Sequence, residues 1–312
     1  MFLASNGGAF TKSDIDALNQ GLAGGFGPGQ VFYVDGVNGN DQNTGLSPTV
    51  LGPTVGPVKT IAQALAYCAS GRGDTVYIFP GTYAENVVIS GLNNLTLAAA
   101  VPVGNAKRPA IAPASGIALD VQNVKGFVAR GLRFASADDV GVQTSGEGAL
   151  WLSCDFTSTT THGCQLYGRS SADFTSSGAI FRNCLFRECG GAGIHLKEGA
   201  GGAVGLYATN VIVDGCQFYL NTDDDINDDA PGGALAAFSQ WDICNSHFMT
   251  VDKVTYLDLN GTTGGGQCQV SNNKFSVTVN TNYATQFQMP AVSTGGFVGN
   301  FSSIGVIDGH TF

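Results

Sequence analysis

The sequence predicts an all-β fold: a stack of about nine or ten parallel coils, closed at its first edge by one short helix. Three observations predict it. Forty-five glycines in 312 residues call for many turns and argue against a helical bundle. Phenylalanine closes a recurring five-residue string at Phe134, Phe156, Phe186, Phe218, Phe248, Phe275 and Phe301, in steps of 22, 30, 32, 30, 27 and 26 residues. Seven residues after the first three of these come Gly141, Gly163 and Gly193, each opening a strand-like run (GVQTSG, GCQLYG, GIHLKE). A unit of that length cannot bury its apolar face alone, so units stack and each strand pairs with its equivalent one coil away. Equivalent residues then lie ~4.8 Å apart, and the rod is roughly 45 Å long.

The elements follow in chain order. In residues 1–30, Thr11 or Ser13 can cap a short helix over 14–22 with Ile15, Leu18 and Leu22 on one face, and the glycine-rich linker GLAGGFGPGQ follows. This piece reads either as a docking segment or as a segment folded back on the cap. Residues 31–74 form a cap and 75–312 the coils. Within the cap, Lys59–Ala69 sets Ile61, Ala62, Leu65 and Ala66 on one helical face. Gly73-Asp74 leads into a strand over Thr75–Phe79, and Pro80-Gly81 makes the turn. Less regular coils pass through Val76–Ile78, Leu95–Leu97 and Ile111.

In the regular coils, Cys154, Cys184 and Cys216 each stand two residues before the phenylalanine and so share its face. That face is the interior, where cysteine packs as a small hydrophobe. Leu132, Ser246 and Asn273 hold the same slot, and no Cys-x-x-Cys occurs to suggest a metal centre. The last coil runs to Gly309–Phe312 and shows no capping motif.

Composition narrows the partners. Charged residues are 12% of the chain, against roughly 25% in ordinary soluble domains. Neutral Asn, Thr, Ser and Gln must make up the surface, which suits an inert particle component or a carbohydrate-facing protein. A net charge of −10 without a basic cluster speaks against nucleic acid and anionic membranes. No run of about 18 apolar residues is present to span a bilayer. The opening MFLASNGGAF has neither a basic start nor an apolar core, so no signal peptide is expected. The expectation is synthesis in the cytosol with all eight cysteines reduced.

One stretch interrupts the rhythm. After Phe218 the next glycine in phase is read as Gly233, eight residues late, which makes NTDDDINDDAPGG an insertion on the side of the rod. Three readings are open. Asp223, Asp224, Asp225, Asp228 and Asp229 can be a solvated acidic loop. Asp223, Asp225, Asp228 and Asp229 can hold Ca²⁺, the one cofactor the sequence suggests. Asp223, Asp224 and Asp225 can supply paired carboxylates for glycoside hydrolysis. A lyase would need a base, and His195 and Lys197 alternate on one strand near Arg187 and Glu188; outward-facing charges look the same. His162, His195, His247 and His310 show no catalytic spacing.

The cap carries a resemblance to a known family. Tyr33, Val34, Asp35, Gly39, Asp41, Asn43, Gly45, Ser47 and Pro48 follow YVD-x-x-x-G-x-D-x-N-x-G-x-S-P. Lys59, Thr60, Ile61 and Ala64, then Gly73, Asp74, Val76, Pro80, Gly81 and Tyr83, continue it. This pattern resembles the N-terminal cap of the pectin lyase-like right-handed parallel β-helix superfamily, most like phage spike and decoration proteins. The resemblance implies a right-handed single-stranded parallel β-helix. The missing signal peptide, the candidate docking segment, the low-charge surface and the incomplete catalytic set lead to the expectation of a non-enzymatic virion structural protein, a capsid decoration or short spike that docks on other virion proteins through its N-terminal segment and faces host surface glycan. The resemblance to such spikes implies a homotrimer. Asn221-Thr222-Asp223 resembles one motif of the polygalacturonase-type hydrolases. The Asp-Asp pair, Gly-His-Gly and Arg-x-Lys found with it there do not follow in WDICNSHF or YLDLNG, so no catalytic role carries over. The rival reading is a polysaccharide lyase or glycoside hydrolase acting on bacterial surface glycan.

Overall fold

A computed structural model describes residues 29–100, 108–158, 160–167, 176–197, 208–228, 241–250, 256–258, 268–276, 287–288, 297–302 and 305–306. The docking candidates Ile15, Leu18 and Leu22 lie outside them, as do Asp229 and Gly233.

Successive coils contribute strands to three sheets, of ten, ten and eight strands among the described residues. Sheet I holds ten strands among the described residues, from Val31–Val34 and Thr75–Ile78 through Leu150–Leu152 and Ile180–Arg182 to Phe297–Val298. Sheet II runs from Thr82–Tyr83 to Phe301–Ser302, and sheet III from Val87–Ser90 to Phe287–Gln288. Pairing is parallel throughout these runs, with Leu150 opposite both Val128 and Ile180, and Phe156 opposite both Phe134 and Phe186. Ten strands in sheet I match the predicted number of coils.

The turn from sheet I to sheet II explains the five-residue string. Its second residue has positive φ at Gly131, Ser153, Asn183, Gly215, Asn245 and Asn272, between 51° and 70°, and in the string ending at Phe301 that conformation falls one residue later, on Gly299. Glycine and asparagine tolerate this region best, so the string carries them there. The following slot points inward. Cys154, Cys184 and Cys216 are at most 1% exposed. Their thiols face the carbonyls of Ala129, Trp151 and Phe181, one coil back, at 3.5, 3.3 and 3.5 Å. Asn273 and Asn300 do the same with side-chain amides, donating to Ile243 and Val270 at 2.8 and 2.9 Å. The slot is therefore a hydrogen-bonded column as well as a packing position. Burial pushes the Cys154 and Cys184 thiols well above their ordinary range, the opposite of what a thiolate nucleophile needs.

Two residues further on, phenylalanines stack through the core. Phe156, Phe186, Phe218, Phe248 and Phe275 follow one another at 4.7, 4.9, 4.8 and 4.5 Å between ring centroids, and Phe134 precedes them at 5.5 Å. All six are fully buried. Phe301 does not continue the stack: it pairs with Lys274, faces outward and is 51% exposed, while Ser302 stands opposite Phe275. The positive-φ residue sets the register, and Gly299 lies three before Ser302, not three before Phe301. A one-residue slip turns a side chain to the other face. Beyond it, Gly305–Val306 folds back antiparallel on Phe301–Ser302 and covers the end of sheet II.

The cap is a set of acidic side chains serving backbone donors. Helix Ile61–Tyr67 is shorter than predicted and buries Ile61, Ala64 and Leu65, whereas Ala62 and Ala66 face solvent. Thr60 caps it, accepting from the Gln63 amide at 3.2 Å. Glu85 reaches across 24 residues to accept from the Ile61 and Ala62 amides, both at 3.0 Å. Asp41 accepts from Lys59 and Thr60, and Asp35 from Val37 and Asn38. Glu85 and Asp41 thus hold the helix over the first coil, where it shields the edge, and Asp35 fixes the turn after Val31–Val34.

Candidate functional site

The acidic stretch is not an insertion where the repeat predicts one. Asp225 stands seven residues after Phe218, in the slot of Gly141, Gly163 and Gly193. The Ile194 amide donates to its carbonyl as Val142 and Cys164 donate to those of Gly163 and Gly193. The rhythm therefore holds, with an aspartate where a glycine was expected. Asp225 is fully buried and its Oδ1 accepts from Asn221 Nδ2 at 2.9 Å. Asn221 in turn donates to the Phe186 carbonyl and accepts from the Cys189 amide. Asp223 is exposed and Asp224 half-buried, so neighbours in sequence are divided between solvent and wall. Asp228 belongs to the strand Ile226–Asp228, and its side chain lies outside the described set. Among the described residues, no three His, Cys, Asp or Glu side chains converge on a metal position.

The restored phase defines a different line. Two residues beyond the slot, Gln143, Gln165, His195 and Asn227 stand side by side on sheet III, paired in register. Asp120 extends the line one coil earlier. These positions alternate with Val142, Cys164, Ile194 and Ile226 in the core, so they point away from it. Even so, Gln165 and His195 are only 3% exposed and Asn227 6%. Gln165 Nε2 lies 3.0 Å from His195 Nδ1. The His162 ring stacks on His195 with centroids 3.7 Å apart and planes 14° from parallel. The Ala192 amide can only donate, so His162 Nδ1 accepts at 3.0 Å and its proton sits on Nε2. Glycine at 191 makes room for this ring, because a Cβ there would lie 2.7 Å from Nδ1. Asn227 Oδ1 is buried and has no hydrogen-bond partner among the described residues.

The remaining candidates serve the wall. Lys197 Nζ lies 5.8 Å over the Tyr167 ring on the neighbouring strand. Arg187 grips Asp155 through two hydrogen bonds, at 3.1 and 3.2 Å, and also meets Glu188 at 3.3 Å. Asp155 is shared with Arg133 at 3.7 Å, which ties three coils of sheet II together. Sequence reasoning singled out His195 but missed Gln165, Asn227 and the stacking role of His162. The signal was the seven-residue offset itself, once it tolerates an aspartate.

Three parallel sheets wound coil upon coil, with the polar line on one flank, define a parallel β-helix. The right-handed β-helix region model matches residues 115–291, more than half of the chain, and the chain belongs to that family. Among solved structures it is similar to an alginate lyase from Paenibacillus sp. (17% identity, TM-score 0.54, 78% of this chain and 83% of that one). It is also similar to a rhamnogalacturonan lyase (15%, 0.53, 80% and 69%) and to the pectate lyase Pel9A (16%, 0.53, 88% and 76%). At these identities the likeness is one of fold. No curated protein matches the sequence.

Proposed function

We propose that the chain is a non-enzymatic rod of a bacteriophage virion, a capsid decoration or short spike presented towards host surface glycan. The observation that carries this reading is where its reactive side chains are spent. Asp225 is built into the coil wall with Asn221, and Asp155 is held by two arginines. The polar line on sheet III is shielded by the fold. Low charge and neutral polar surface fit a particle component that must resist nonspecific contacts. The test has two arms. Antibody to the chain should label the surface of purified virions in electron micrographs. Purified chain incubated with host capsule or lipopolysaccharide should leave the polymer length unchanged.

A second reading, a polysaccharide lyase or glycoside hydrolase, is favoured by one feature: the His195–His162 stack beside Gln165 and Asn227 on one flank. Shorter oligosaccharides in the incubation, abolished by His195→Ala in a chain that still folds, would establish that reading and overturn the first.

A further inference from the structure

The three flanks of the rod differ in chemistry. Outward positions on sheet III carry mainly amides, a histidine and an aspartate, with Val88 at one end, and those on sheet II mix Arg133, Asp155, Gln217 and Lys274 with Leu185 and Phe301. Sheet I instead sets Val128, Leu150, Ile180 and Ile212 in one straight column, each paired to the next. All four are half-buried, and the residue that follows each in sequence (Ala129, Trp151, Phe181, Val213) fills the core. Four such residues, about 4.8 Å apart, make an apolar seam along the rod axis.

Charge marks both ends of the seam. Arg130, exposed, lies beside Val128, two coils before Ile180. Asp242 continues the column after Ile212, two coils past Ile180. Its side chain is half-buried and interacts with the Cys244 thiol. Arg182 and Asp214, alongside the middle, neutralise each other at 3.0 Å.

We propose that this flank joins two copies of the chain, antiparallel, about a two-fold axis at Ile180. The seam is its own complement under that rotation: Ile180 meets its counterpart, Leu150 meets the second copy's Ile212, and Arg130 reaches the half-buried carboxylate of Asp242. Parallel packing would set Arg130 beside Arg130 and leave Asp242 facing its own kind, which disfavours it. A straight seam fits a straight partner, and a two-fold contact uses the same patch on both sides. This assembly stands in place of the three-fold one that the resemblance implies. It rests on the flank alone, independent of the virion role.

Sedimentation velocity on the full chain should show a mass rising from that of one copy, 32.1 kDa, towards twice that value with concentration. Ile180→Arg, which faces outward and should leave the circular dichroism spectrum intact, is expected to hold the chain monomeric. Gln217→Arg on sheet II should leave the dimer unchanged. Arg130→Glu and Asp242→Arg should each weaken association at least tenfold, and together restore most of it. A chain monomeric at all concentrations, a trimer, or a dimer indifferent to Ile180→Arg would overturn the proposal. Failure of the double swap to recover association would overturn the antiparallel arrangement.

Discussion

Phe218→Ala compared with Phe301→Ala tests the register of the whole stack. Phe218 is fully buried between Phe186 at 4.9 Å and Phe248 at 4.8 Å, with interplanar angles of 9° and 2°. Removing a buried phenylalanine costs about 3–5 kcal/mol through lost transfer energy and the cavity left behind. Two stacked neighbours, each contributing about 0.5–1.5 kcal/mol beyond area burial, place this site towards the upper end of that range. Phe301 is half exposed and faces outward, so its loss should cost about 1 kcal/mol or less. Urea unfolding can be followed through Trp151 and Trp241, both buried in the core. Stacked coils need not unfold in one step, so the midpoint is the quantity to compare, with calorimetry as a second measure. Equal losses in the two variants would refute the reasoning, because it depends on Gly299 rather than the phenylalanine setting the phase.

Asp225→Ala should cost about 1–3 kcal/mol by stranding the buried Asn221 amide, whereas Asp223→Ala should change stability by about 0.5 kcal/mol or less; thermal melts of the pair measure the difference. Gly193→Ala would bring a Cβ to 2.9 Å from both the Asp225 carbonyl and Phe218 Cδ1, and should destabilise the coil by about 1–3 kcal/mol in the same melts. Burial alone would raise the Asp74 carboxyl, but Arg72 and the amides of Ala69 and Gln30 outweigh it and hold the group below its ordinary 3.8. The stability Asp74 contributes is thus fully present above pH 3.8 and is lost as pH falls through the lower folded value. Asp74→Asn should therefore melt earlier than the unaltered chain at neutral pH, and that gap should close in strongly acidic buffer.

The repeat was legible because stacking imposes it on the sequence. The positive-φ turn demands Gly, Asn or Ser, the inward slot a small or hydrogen-bonding side chain, and the stack a phenylalanine, at fixed offsets. The same rule misled at two places. At Phe301 the residue type matched but the turn residue was one position late, and the backbone followed the turn. At Asp225 the position matched but the residue type did not, so a wall position was read as the start of a loop.

The sequence by itself determined the all-β stack, its coil number, the capping helix and the cysteine–phenylalanine interior, because those follow from periodic burial along one chain. Only the tertiary structure decided which polar residues share a flank. Gln165, His195 and Asn227 are 30 and 32 residues apart, and His162 reaches His195 across a coil boundary. Such neighbours are set by register between coils, which local sequence specifies only through the turns that fix it.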